Sequence, residues 1–175
     1  MISKYSKGAI ALHWLIAILV IANFVLASMA EDLPREAQGA LMSPHKAIGI
    51  SILFFSVLRL AWRLTNKPPA LPAAIPAWQS TLGRIVHLLF YFLIIAVPFS
   101  GWLMASAHPQ APPVDFFGLF DATLPVDKSK ALAGIGHEAH EILTKPLFIL
   151  ILLHIIAALK HQFADKLPFV QRMWP

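Results

Sequence analysis

The chain has 175 residues, 58% hydrophobic and 13% charged, with a formal net charge of +5 and no cysteine. That is too apolar for an ordinary soluble domain and too short for more than one membrane domain. The absence of cysteine excludes disulfides, iron–sulfur clusters, thiolate-bound haem and covalent c-type haem attachment. The basic excess flanks the hydrophobic stretches and has no aromatic-basic platform beside it. Membrane orientation therefore accounts for it, and no nucleic-acid partner is expected.

A hydrocarbon core of about 30 Å takes about 20 helical residues. Four such spans are predicted, at roughly residues 9–30, 45–64, 82–107 and 140–163, and together they fill one integral-membrane domain over residues 1–175. The first follows Lys4 and Lys7 and ends in Ser28-Met29-Ala30, which imitates a signal peptide. Its apolar run is longer than the usual h-region and carries His13, so it is read as a retained span. Glu31-Asp32-Leu33-Pro34 stops it, and a loop of about a dozen residues is predicted to follow. The second span is predicted to open at Ser43-Pro44-His45, with Ser43 as cap and Pro44 in the first turn. Beyond Arg59, Arg63 and Lys67, the prolines Pro68, Pro69, Pro72 and Pro76 predict an extended linker. The third span runs through Pro98, where a kink is predicted. The longest loop, His108 to Gly136, carries Phe116, Phe117 and Phe120, which place it along the membrane surface. The fourth span begins near Gly136-His137-Glu138, is interrupted at Lys145-Pro146 and ends near Asp165.

Lys and Arg set the topology. One side holds Lys4, Lys7, Arg59, Arg63, Lys67, Arg84, Lys160, Lys166 and Arg172, and the other Arg35, Lys46, Lys128, Lys130 and Lys145. That is nine against five, and the poorer side also carries eight of the nine acids. Both termini are therefore expected in the cytoplasm, and an even number of spans returns the chain there.

Histidines within the spans carry the function. An ionisable side chain in a membrane helix is costly and usually faces the bundle interior. His13 starts the first span on the terminal side, and His45 opens the second on the opposite side. His140 and His154 lie fourteen residues apart on the fourth. Fourteen residues advance a helix by about 21 Å and return to within about 40° of the same face. His45 thus matches His140 in depth, and His13 matches His154. Two bis-histidine haem b groups stacked across an all-α transmembrane four-helix bundle are the expected result. His137, one turn before His140, is the rival ligand. Gly49, one turn after His45, either lets a porphyrin approach or packs a neighbouring helix. Arg59 on the terminal side, and Arg35 and Lys46 on the other, are candidates for propionates or an incoming anion.

Tyr5-Ser6 with His13-Trp14, His45-Lys46-Ala47-Ile48-Gly49, His87, and His137-Glu138-Ala139-His140-Glu141 with His154 and His161 resemble the bacterial cytochrome b561 family. The resemblance covers nearly the whole chain and rests on order and spacing rather than on one motif. It implies a di-haem, multi-pass cytochrome of the bacterial inner membrane, with His13, His45, His140 and His154 as iron ligands. Lys145-Pro146 departs from the family pattern. The cytochrome b subunits of formate dehydrogenase and hydrogenase look related in the same way.

His161 and His87, with Trp14, are candidates for a quinone site near the His154 level, because a quinone that takes two electrons also takes two protons. The alternative is a pair of interfacial histidines. The resemblance implies an oxidoreductase that oxidises superoxide on the outer side and reduces ubiquinone on the inner. Five bases against eight acids on that outer side weaken the pull on an anion. The rival is a cytochrome b that relays electrons between a periplasmic dehydrogenase or c-type domain and the quinone pool. A reading from another class is a haem-free transporter or metal-ion channel lined by histidine and carrying an ion such as zinc. It would need three or four ligands meeting at one point.

Overall fold

In hydrocarbon every backbone N–H and C=O must be satisfied within the segment, which a helix achieves. A computed structural model describes residues 3–72 and 74–175. Its helices are α1 (Lys7–Glu31), α2 (Arg35–Thr65), α3 (Ala77–Ala107), α4 (Lys130–Leu159) and the short α5 (Phe169–Arg172). The first four are long and apolar enough to cross a membrane, so the predicted all-α architecture is borne out. Ile18, Phe54, Leu88 and Leu153 stay exposed on their outer faces, where lipid replaces water as the solvent.

Two helix starts differ from the sequence expectation. α2 begins at Arg35, with Pro34 as its N-cap, so Ser43 and Pro44 lie inside the helix and no dozen-residue loop precedes them. Likewise α4 begins at Lys130, where the Ser129 hydroxyl accepts from the Leu132 N–H. It then runs unbroken through Lys145-Pro146, with Lys145 paired to Glu141 at 2.9 Å on the surface. The first turn of α2, Arg35 to Gln38, is polar, and α4 opens with Lys130 and the glycines Gly134 and Gly136 before its long apolar run. Hydropathy reports the surrounding solvent there, not the backbone conformation. The α3–α4 connection is built on a two-stranded hairpin, β1 (Asp115–Phe116) and β2 (Phe120–Asp121). Trp102 of α3 donates its indole N–H to the Ala122 carbonyl at 2.6 Å and ties that hairpin to α3. At its far end α4 widens into a π-helical turn, Lys160–Ala164.

Neighbours in sequence pack together: α1 on α2, α2 on α3, α3 on α4. By contrast, no Cα of α4 comes within 8 Å of α1 or of α2. Side chains alone bridge those gaps. Ile16, Val20 and Ile52 form one apolar layer, and Leu93, Ile94, Val97 and Leu147 another, with Phe24 and Ile151 packed against both.

The two termini meet at one end of the bundle. Arg172, only 4% exposed, donates to the carbonyls of Ser3 (3.1 Å), Pro69 (3.0 Å) and Ala70 (2.7 Å). One guanidinium thereby ties the C-terminal tail to the segment before α1 and to the α2–α3 linker. Arg172→Ala leaves three carbonyls without their donor and is expected to cost about 1.5–3 kcal/mol, read as a lowered Tm in detergent.

Candidate functional site

The paired histidines occupy the two gaps. His13 of α1 and His154 of α4 have ring centroids 6.2 Å apart, with planes at 77°. His45 of α2 and His140 of α4 have centroids 6.3 Å apart, at 82°. A metal–imidazole bond of about 2.0 Å plus a ring radius of about 1.1 Å on each side places coaxial ligand rings about 6.2 Å apart. Each pair therefore has room for one metal ion between its rings. Among the described residues no group of three or more His, Cys, Asp or Glu converges. A protein-only zinc site needs such a group, whereas a porphyrin supplies four ligands itself and asks the protein for two.

The surroundings fit a porphyrin as well. Gly49 is buried, yet a Cβ built there would meet nothing nearer than the Asn23 side-chain nitrogen at 3.8 Å. Only the Asn23 side chain of α1 reaches that position, at ordinary contact distance, so a side chain there would meet no close helix backbone. Asn23 Oδ1 and Ser56 Oγ are buried without a hydrogen-bond partner, both inside membrane spans. A lone polar residue within an apolar span was the sequence signal for both, and the sequence reading passed over it.

Hydrogen bonds at the His45/His140 level orient both rings. His140 Nδ1–H donates to the Val97 carbonyl at 2.8 Å, and His45 Nδ1–H donates to the Asn23 carbonyl at 3.2 Å. A carbonyl can only accept, so each ring keeps its proton on Nδ1 and offers the Nε2 lone pair. His137, the rival of His140, is exposed and makes no such pair.

The His13/His154 level is arranged differently. Arg59 Nη1 donates to His13 Nδ1 at 2.8 Å. A guanidinium cannot accept, so a neutral His13 here carries its proton on Nε2. Iron at that nitrogen requires Arg59 to release the ring, which frees a cation beside the site. His87 sits at the same level, 6.5 Å from His154. It joins the His13/His154 pair rather than standing beside His161.

The remaining candidates disperse. Trp14 packs edge-on to His13 at 5.5 Å, but its indole N–H is taken by the Met173 carbonyl at 2.7 Å. It offers ring surface and no free donor. His161 lies on the π-helical turn, bound through Nδ1 to Asp165 at 2.7 Å and stacked on Phe169 at 4.7 Å. Arg35 is exposed at the start of α2, and Lys46 lies eleven residues on, about 16 Å along the axis. The two do not form one anion site.

Comparison with known proteins agrees with this geometry. The family model described as prokaryotic cytochrome b561 matches residues 4–175. Cytochrome b561 homolog 2 of Escherichia coli (strain K12) is 32% identical over 97% of this chain and 90% of its own length. A probable superoxide oxidase CybB of Yersinia pestis is 30% identical over 98% and 96%, and cytochrome b561 homolog 1 of E. coli 24% over 99% and 98%. A match of this extent, with four membrane-capable helices, makes the chain a multi-pass membrane protein of the prokaryotic cytochrome b561 family, which binds haem b and transfers electrons across the membrane.

Proposed function

We propose that the chain holds two haem b groups, clamped by His45/His140 and by His13/His154, and carries electrons from superoxide on the periplasmic side to ubiquinone on the cytoplasmic side. One observation carries this reading. Two histidine pairs, at 6.2 and 6.3 Å, fill the two gaps where α4 stands away from α1 and α2. The iron of bound haem supplies the one-electron chemistry. The chain's own residues set ring orientation through Val97 and Asn23, exclude water with the Leu93–Val97 and Ile16–Val20 layers, and keep a cation, Arg59, at the inner level. The excess of Lys and Arg at the end carrying the termini supports a cytoplasmic placement for that end, in the bacterial inner membrane.

The superoxide assignment draws on the name of one relative, a probable superoxide oxidase. Against it stand the acid-rich outer side and the separation of Arg35 from Lys46 along α2. Those observations favour a second reading, a cytochrome b partner subunit fed by a periplasmic dehydrogenase or c-type domain. Mixing purified, haem-loaded protein with enzymatically generated superoxide separates them. The first reading expects fast haem reduction and reoxidation by ubiquinone, without any partner. Haem that superoxide leaves oxidised, but a reduced c-type domain reduces, moves the donor to a protein.

A further inference from the structure

The end of the bundle that carries the termini holds a basic pocket that the paired histidines do not use. The segment before α1 lends it Tyr5 and Ser6, α2 and its exit lend Arg59, Arg63 and Lys67, and α3 lends Tyr91. No aspartate or glutamate lines it. Asp165, the one acid that the sequence assigns to this end, is already paired with Lys160 and His161. Arg59 and Arg63 stand one turn apart on one helix face, where like charges repel. Arg59 gives Nη1 to His13. Among the described residues neither Arg63 nor Lys67 pairs with a carboxylate. Three cations thus line one pocket with no counter-charge from the chain.

Neutral donors and an apolar ridge complete the site. The Trp62 indole N–H donates to Ser6 Oγ at 3.0 Å, so the Ser6 hydroxyl keeps its own proton for another acceptor. Tyr5 and Tyr91 add two phenolic O–H groups. Phe54, Leu58 and Trp62 recur every fourth residue and therefore share one face of α2. They are 64%, 42% and 38% exposed. Trp62 also lines the pocket, so this ridge leads from the basic pocket down the membrane-facing side of α2. Arg63 lies about 6 Å beyond Arg59 along the α2 axis, away from the His13 level and toward the water.

We propose that the pocket binds the phosphate of an anionic phospholipid, with an acyl chain laid along Phe54, Leu58 and Trp62. Arg63 and Lys67 supply the charge, and Tyr5, Ser6 and Tyr91 the neutral hydrogen bonds. A free phosphate would answer the cations but leave the ridge bare. A zwitterionic lipid would cover the ridge but bring its own cation to the phosphate. Only an anionic lipid matches both features, and basic pockets between membrane helices hold such headgroups by the same combination. Bound there, the headgroup joins the segment before α1 to the end of α2 and to α3.

The test uses haem-loaded protein in a mild detergent, offered dioleoyl-phosphatidylglycerol or dioleoyl-phosphatidylcholine, with retained lipid counted by native mass spectrometry. Wild-type protein is expected to keep one phosphatidylglycerol per chain in preference to phosphatidylcholine. Arg63→Gln/Lys67→Gln is expected to lower that retention about 10- to 30-fold, with haem content and spectrum unchanged. Arg84→Gln/Lys166→Gln removes the same charge from the same end outside the pocket and should retain the lipid. Equal retention of phosphatidylcholine by the wild type overturns the proposal, and that competition needs no variant to fold. Displacement by excess inorganic phosphate makes the pocket a free-anion site and overturns the lipid assignment. An equal loss in Arg84→Gln/Lys166→Gln reduces the effect to the general attraction of a basic membrane face. Loss of haem from Arg63→Gln/Lys67→Gln gives the pocket to a haem propionate instead.

Discussion

Replacing His154 by alanine is expected to halve the haem content, from two groups per chain to one, while His45→Ala halves it at the other level. The expectation follows from how the two pairs are divided. His13 and His154 close the gap between α1 and α4, and His45 and His140 close the one between α2 and α4. An apolar layer of Ile16, Val20, Ile52 and Ile151 lies between the levels, and the two pairs share no side chain. Deleting one pair therefore leaves the other in place. A pyridine haemochrome measurement per chain reads the loss directly, and a redox titration should fall from two components to one. His154→Met offers a finer check, because a thioether in place of imidazole is expected to raise the potential of the His13 level itself without emptying it. Retention of both haems in His154→Ala would overturn the pairing. His87, 6.5 Å from His154, is then the residue to examine as the substitute ligand of His13.

Much of this site was legible in the sequence because helix geometry converts spacing into depth. A separation of fourteen residues on α4 specified both the face and the distance between levels, and His140 and His154 are found opposite His45 and His13. The ends of the helices were less legible. The stretch Glu36 to Ser43, with its polar residues, and the stretch Lys130 to Gly136, with two glycines, read as loop, yet both are helical. Their backbone groups are satisfied inside the helix wherever they lie relative to the membrane. Pro44 misled for a related reason, since a proline in a helix looks like a start when the preceding turns are hydrophilic. The π-helical turn at Lys160–Ala164 has no compositional mark and could not be read from a regular periodicity. Arg172 and Arg59 find partners 103 and 46 positions away, and no local pattern encodes such contacts.

The two levels also differ in readiness for a metal. At the outer level both rings already present Nε2, because backbone carbonyls fix the Nδ1 protons. Such second partners orient a ligand and raise its basicity. At the inner level Arg59 occupies His13 Nδ1, and no backbone carbonyl orients that ring. With haem at both levels, one site would be held by neutral amides and the other would lie beside the Arg59 cation. A cation near an iron centre favours the reduced state, which has one more negative charge. With haem at both levels, as proposed above, this arrangement inclines transfer toward the end that carries the termini.

Two glycines allow α3 and α4 to come together, and their substitutions are expected to fail in different ways. A Cβ on Gly101 would stand 2.9 Å from both Cε1 and Nδ1 of His140. A Cβ on Gly136 would stand 2.7 Å from the Met104 backbone nitrogen and 3.0 Å from the Ser100 carbonyl oxygen. A side chain can turn away from an intruding methyl, but a helix backbone can yield only by moving as a body. Gly101→Ala is therefore expected to swing His140 off the Val97 carbonyl, losing the outer haem or changing its spectrum while the inner haem remains. Gly136→Ala should instead push α3 from α4 and cost about 1–3 kcal/mol of stability, the usual penalty for overpacking. It should lower Tm with both haems affected together. Thermal unfolding and haem stoichiometry on the two variants separate these outcomes. A Gly101→Ala protein with both haems intact and an unchanged spectrum would mean that His140 does not need its present orientation. The outer clamp would then have to be built from another ring, with exposed His137 the first to test by substitution.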